Sequence, residues 1–226
     1  MRIAVLGTGS VGRAVGGRLA QLGHDVVFGT RDPAATLART EPDQMGNPPF
    51  AVWLQANPTV RLETFADAAA HGELVVNATS GYGSMPALEA AGADNLAGKV
   101  LVDIANPLDF SGGFPPSLFV KDTDSLAEQI QRAFPDARVV KTLNTVTAAL
   151  MVDPKQLAGG DHTIFVAGND PSAKQAVTDL LHGFGWTDVM DLGDLTGARA
   201  AELLLPMWLR LFQTTGSPFV NVKVVR

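Results

Sequence analysis

The stretch Arg2-Ile3-Ala4-Val5-Leu6-Gly7-Thr8-Gly9-Ser10-Val11-Gly12 decides how the rest of the chain is read. Its first five residues form a short apolar run suited to a buried strand. Gly7, Gly9 and Gly12 then make a turn that opens an amphipathic segment. Val11, Ala14, Val15, Leu19 and Leu22 share one helical face, and Gly23 stands at the stop. A second strand-like run, Asp25-Val26-Val27-Phe28, follows at once. A glycine turn between strand and helix has the shape of a pyrophosphate cradle. The first glycine permits the tight turn, the second lets backbone amides approach the phosphates, and the third lets the helix pack on the strand. Gly7, Thr8, Gly9, Ser10, Val11 and Gly12 are therefore the expected centre of a dinucleotide site.

The end of the second strand bears on which dinucleotide is bound. It reads Gly29-Thr30-Arg31-Asp32-Pro33. A carboxylate at this place accepts hydrogen bonds from an unmodified ribose, whereas an arginine accommodates a 2′-phosphate. Asp32 precedes a proline, and proline favours the first helical position, so Asp32 reads as the cap of the next helix. Thr30 and Arg31 remain as a hydroxyl and a guanidinium suited to phosphate, which favours NADP(H) over NAD(H).

The chain has 226 residues, 46% hydrophobic and 18% charged, which is enough for one α/β domain with a small appendage. Its formal charge is −6 with no lysine or arginine run, so nucleic acid and anionic membranes are poor partners. It has no cysteine, which excludes disulfides, thiolate metal sites and a cysteine nucleophile. No secretory pattern opens it, and the apolar stretch from Leu203 to Phe212 is too short to span a bilayer. The expected compartment is the cytoplasm.

Strand-like and helix-like segments alternate along the chain. Further strands are expected near Val60-Arg61-Leu62, Leu74 to Asn77, Lys99 to Ile104, Arg138 to Lys141, Thr163 to Val166 and Trp186 to Met190. Helices are expected from Pro33, over Phe65 to Ala70, Pro86 to Ala91, Ser125 to Phe134, Pro171 to Leu181, and Leu195 to Gln213. Such alternation predicts an α/β fold, a Rossmann-type doubly wound parallel sheet, followed by a small helical C-terminal segment. The expected division is a nucleotide-binding domain over 1–192 and a helical segment over 193–226.

In such sheets ligands lie beyond the carboxyl ends of the strands. Three of those ends carry small amide and hydroxyl side chains: Asn77-Ala78-Thr79-Ser80-Gly81, Asp103-Ile104-Ala105-Asn106-Pro107-Leu108 and Lys141-Thr142-Leu143-Asn144-Thr145-Val146. Ala78, Thr79, Asn106, Pro107 and Asn144 are the expected cofactor contacts, and Asn144 and Val146 the expected positioning residues.

The glycine turn, the Gly29-Thr30-Arg31 strand end, Leu143-Asn144-Thr145-Val146, and a terminal helix carrying Arg199, Glu202 and Pro206 together resemble the coenzyme F420-dependent NADP oxidoreductases. The resemblance covers most of the chain. It implies an NADP(H) enzyme that transfers a hydride, a C-terminal helical segment that closes the substrate cleft, and a homodimer. It brings in F420 as a co-substrate, with a flavin, a quinone-like acceptor or a carbonyl left open. Where that family carries a histidine near the deazaflavin, this chain has Asn144, which can hydrogen-bond a ring carbonyl but cannot change charge near neutral pH.

Transfer of a hydride between two flat rings rests mainly on positioning. His24, His71, His162 and His182 are scattered, and no pair has metal-ligand spacing, so no metal is expected. Asp103 reads as a structural buried carboxylate and Lys141 as an alternative proton donor. A carbonyl or imine reductase using Lys141 or Asp103 is one other reading, and a non-catalytic NADP(H) sensor a second. Arg199 and Glu202 are expected to pair with each other or with the sheet. Tyr82, in the glycine loop after the fourth strand, reads as loop packing with stacking on an isoalloxazine-like ring as the alternative, and the loop bearing Phe110, Phe114 and Phe119 reads as a wall or lid of the acceptor site or as a dimer contact.

Overall fold

The computed structural model describes residues 1–43 and 46–226. The chain runs β1 (Arg2–Leu6), α1 (Ser10–Gln21), β2 (Asp25–Thr30), α2 (Pro33–Leu37), α3 (Phe50–Gln55), β3 (Arg61–Thr64), α4 (Phe65–His71), β4 (Leu74–Asn77), α5 (Gly81–Ala91), α6 (Ala93–Leu96) and β5 (Val100–Asp103). A small hairpin of β6 (Leu108–Asp109) and β7 (Ser117–Leu118) follows. Then come α7 (Leu126–Ala133), β8 (Arg138–Thr142), α8 (Ala148–Val152), β9 (Thr163–Gly168), α9 (Pro171–Phe184), β10 (Asp188–Asp191), α10 (Ala198–Leu203) and α11 (Leu205–Thr215).

Eight strands form one sheet in the order β10-β9-β8-β5-β4-β1-β2-β3. Residues 3–6 of β1 are fully buried, because both faces of the sheet are covered. Alternation along the strand splits the core in two. Ile3 and Val5 join Val15 and Leu19 of α1 and Val177 and Leu181 of α9. Ala4 and Leu6 join Ala68 of α4, Leu88 of α5 and Ile130 of α7 on the other face. Each fully buried Val, Leu or Ile side chain among them stabilises the fold by about 1.5–3 kcal/mol.

Six strands are parallel, but β9 runs antiparallel to β8, and β10 follows β9. This modifies the expectation of an all-parallel sheet. The connector from Leu143 to His162 leaves and re-enters at the same edge of the sheet, so the chain makes no crossover. The expected terminal helix is also divided. A 3₁₀ turn over Leu195–Gly197 leads into α10, and only Leu204 separates α10 from α11. Pro206 lacks the amide that would continue the first helix, and its ring would press on the Glu202 carbonyl. After α11 the chain turns back along β9, where Thr163 donates its amide to the Val222 carbonyl at 3.0 Å.

The helices α3 and α8 and the β6–β7 hairpin are absent from the sequence-based expectation. Helix α5 begins at Gly81 rather than Pro86, because Ser80 caps it by accepting a hydrogen bond from the Gly83 amide.

Candidate functional site

The turn after β1 has the geometry its glycines require. Gly7 has φ +111°, and a Cβ there would lie 2.6 Å from the Ala78 carbonyl oxygen. A Cβ on Gly12 would lie 2.2 Å from the Gly7 oxygen. The protein itself therefore excludes a side chain at both positions. Gly9 differs, because a Cβ there would meet nothing within 4 Å. It caps α1 without any side-chain hydrogen bond, which leaves the first-turn amides without a side-chain cap. That open cradle fits the diphosphate of a dinucleotide.

Beside the cradle lies a cavity of about 560 Å³, lined by Thr8, Gly9, Arg13, Arg39, Pro48 and Phe50. Arg13 holds its wall in place. Its Nε donates to the Thr8 carbonyl at 2.9 Å, Nη1 donates to the Pro48 carbonyl, and the guanidinium lies 5.5 Å from the Phe50 ring centroid. Burial pulls this guanidinium below the ordinary arginine range. Sequence reasoning overlooked Arg13. The available signal was its place directly after the third glycine, one helical turn from Gly9.

At the end of β2, Asp32 Oδ1 accepts a hydrogen bond from the Ala35 amide at 2.9 Å and so caps α2. Thr36 donates its hydroxyl hydrogen to the Asp32 carbonyl, so in its 3.0 Å contact with Thr30 the Thr30 hydroxyl is the donor. Thr30 is thus committed within the strand end. Arg31 is exposed, and its guanidinium has no hydrogen bond or ion pair among the described residues.

The loops after β4, β5 and β8 meet as a single polar cluster. Thr79 donates its hydroxyl to Asn77 Oδ1 at 2.7 Å, and Asn77 Nδ2 donates to Asp103 Oδ1 at 2.8 Å. Asn106 Nδ2 donates to the Asn144 carbonyl at 2.9 Å. Asn144 is only 2% exposed. Its Nδ2 donates to Asn106 Oδ1 and to the Ala201 carbonyl, both at 3.0 Å. The Asn144 amide hydrogens are therefore occupied in tying β5 and β8 to α10, and Val146 is buried beneath them. Ala78 and Thr79 remain partly exposed at the cradle's edge. Thr145, which was not among the expected contacts, has a buried hydroxyl without a partner among the described residues.

Lys141 is not a proton donor facing a cleft. It is fully buried, with Nζ 2.8 Å from Asp103 Oδ2 and 2.9 Å from Glu202 Oε1, and it also donates to the Ala105 carbonyl. Burial draws its pKa down, but the charges of Asp103 and Glu202 overcome this and hold it above the ordinary lysine range. Glu202 also accepts from the Leu126 and Ala127 amides at 2.9 and 3.3 Å, at the N-terminus of α7. Arg199 pairs with Glu128 on α7 at 2.6 Å, so both helix residues bind the sheet domain rather than each other.

His162 is buried between the Pro154 carbonyl and Asn221 and serves packing. Among the described residues no group of three or more His, Asp or Glu is placed to hold a metal ion. No helix among them is long and apolar enough to cross a membrane.

The fold and the open glycine cradle define a dinucleotide-binding protein of the Rossmann class. The family profile described as "NADP oxidoreductase coenzyme F420-dependent" matches residues 2–107. A crystal structure from Arthrobacter sp. FB24, of a protein described there as a candidate F420-dependent NADP-reductase, is 62% identical with a TM-score of 0.96, covering 100% of both chains. The F420-dependent NADP reductase of Methanocaldococcus jannaschii is 28% identical, covering 93% of this chain and 92% of that one. Metalloreductase STEAP3 of Rattus norvegicus is 29% identical over 92% of this chain, which spans only 38% of that protein's length. The chain belongs to the family of coenzyme F420-dependent NADP oxidoreductases and is an oxidoreductase.

Proposed function

We propose that this chain binds NADP(H) in the Gly7–Gly12 cradle and exchanges a hydride with a flat deazaflavin or flavin-like acceptor, F420 among them. When bound, the nicotinamide supplies or accepts the hydride with its electron pair, and the acceptor ring exchanges the accompanying proton with water. The amides at the start of α1 hold the diphosphate, and Arg31 holds the 2′-phosphate. The observation that carries this reading is the end of β2, where Asp32 Oδ1 caps α2 and the exposed Arg31 guanidinium has no partner among the described residues.

Ala78, Thr79, Asn106 and Pro107 line the nicotinamide end. Asn144 acts through Asn106 and Ala201, holding that wall against α10. Residues 193–226 form the segment that closes the cleft, and Lys141, Glu202 and Arg199 dock it. These roles need no titrating side chain at the reacting atoms. Such a site works by excluding water and aligning two rings. The reading includes a homodimer in the cytoplasm, which light scattering after gel filtration tests for the dimer.

Titration of the purified protein with NADPH and NADH tests the coenzyme, and equal affinity for both defeats the role of Arg31. Stopped-flow oxidation of NADPH by F420, FMN, FAD and quinones tests the acceptor. Turnover with none of them defeats the flat-ring reading.

A further inference from the structure

Tyr82 sits in the first turn of α5, directly beyond the β4 loop. Its ring stacks on Phe119, with centroids 4.2 Å apart and planes 20° from parallel. Yet Tyr82 is 61% exposed. One face is covered by Phe119, so the other face is open. Its hydroxyl has no hydrogen bond among the described residues.

The backbone carries the pair in close against the β5 loop. A Cβ on Gly81 would lie 2.2 Å from the Asn106 carbonyl oxygen and 3.0 Å from Phe119, so only glycine lets Tyr82 come this close to the β5 loop. The Phe119 amide donates to the Pro107 carbonyl at 2.9 Å, and the Phe119 ring packs on the core that holds Leu88 and Leu126. Tyr82 and Phe119 therefore stand beside Asn106 and Pro107. Phe110 and Phe114, 58% and 59% exposed, lie on the loop of the same hairpin.

An aromatic ring backed on one face and open on the other, at the edge of the sheet where this fold takes ligands, has the form of a stacking platform. We propose that Tyr82, backed by Phe119, is the surface on which the ring of the hydride acceptor lies. This rests on the function proposed above and adds the residues that select the ring. Stacking gives affinity for any flat ring and little for a small aliphatic carbonyl, so the platform discriminates by shape.

The test is a fluorescence titration with FMN and with F420 in the presence of NADP⁺, together with steady-state NADPH oxidation by the same compounds. Wild-type protein is expected to quench the ring fluorescence, and Tyr82→Phe to retain it. Tyr82→Ala is expected to weaken ring binding and raise its KM about tenfold or more, the size of one stacking contact. NADPH affinity should stay within about twofold, since the cradle is untouched. If Tyr82→Ala leaves ring affinity and KM unchanged, the platform is overturned. A shift from dimer to monomer in that variant, with KM unmoved, overturns it in favour of a contact between copies. Wild-type protein that binds neither ring overturns it as well. Wild-type protein that binds the rings but never reduces them defeats the proposed function and leaves the platform standing.

Discussion

The turns after β1 and after β8 end buried strands at the same edge of the sheet, and each opens with a residue of positive φ. After β1 that residue is Gly7, at +111°, and glycine adopts the conformation at no steric cost. After β8 it is Leu143, at +61°, in a three-residue γ-turn closed by the Asn144 amide on the Thr142 carbonyl at 2.8 Å. A non-glycine residue held there costs about 1–3 kcal/mol, so the surroundings must impose it. They do so from both sides. The Leu143 side chain is buried in the core with Val146 and Leu150, and the Asn144 side chain is fastened to Asn106 and Ala201. The first turn is a local solution, whereas the second is fastened by a contact from α10.

The largest effect that separates them is expected from Glu202→Ala. Lys141 then keeps a single carboxylate partner, and the Leu126 and Ala127 amides lose theirs. Breaking such a buried pair costs about 3–5 kcal/mol, read as a fall in the urea midpoint. A loss under about 1 kcal/mol would mean that the β8 turn does not depend on the buried ions.

Arg31→Ala acts on the local half alone. NADPH affinity should fall about 10- to 100-fold, from the loss of charge-assisted bonds worth about 1.5–3 kcal/mol. NADH affinity and the urea midpoint should not move. An equal loss for both coenzymes would mean that Arg31 does not contact the 2′-phosphate.

Gly9→Ala sharpens the contrast further. A methyl group there meets no protein atom, so the urea midpoint should hold to within about 0.5 kcal/mol. The methyl points into the cradle, so NADPH affinity should fall about tenfold or more. Unchanged affinity would show that the diphosphate lies elsewhere.

The smallest effect concerns the C-terminal tail. Asp188 is held down to about 2, first by the Thr163 hydroxyl at 2.6 Å and then by Lys223 and Arg226 against the opposing cost of burial. A folded-state value below the ordinary 3.8 means that this contribution is complete above that value. It drains away as pH falls toward 2. Urea midpoints between pH 5 and 2.5 should fall less steeply in Asp188→Asn than in wild type, and parallel curves would exclude Asp188 as the cause.

The alternation of strands and helices, the glycine cradle, Asp32 as a cap and Asp103 as a buried carboxylate were all legible in residue order, since each rests on neighbours a few positions apart. The reversal of β9 was not, because a connector that recrosses the sheet and one that stays at its edge look alike in the chain. Lys141 read as a possible proton donor for a related reason. The sequence shows a lysine at a strand end but not the carboxylate 61 positions later that buries it. Nor was the use of Asn144 Nδ2 legible, since the Ala201 carbonyl it reaches lies 57 positions later in the chain.

Residue order alone therefore determined the glycine turn and the Asp32 cap, where the chemistry acts within single turns and needs no distant partner. Tertiary structure decided the strained Leu143 turn, the Lys141 ion cluster and the Tyr82–Phe119 stack. Each of these joins residues far apart in the chain, so packing at the carboxyl edge of the sheet is what sets their geometry.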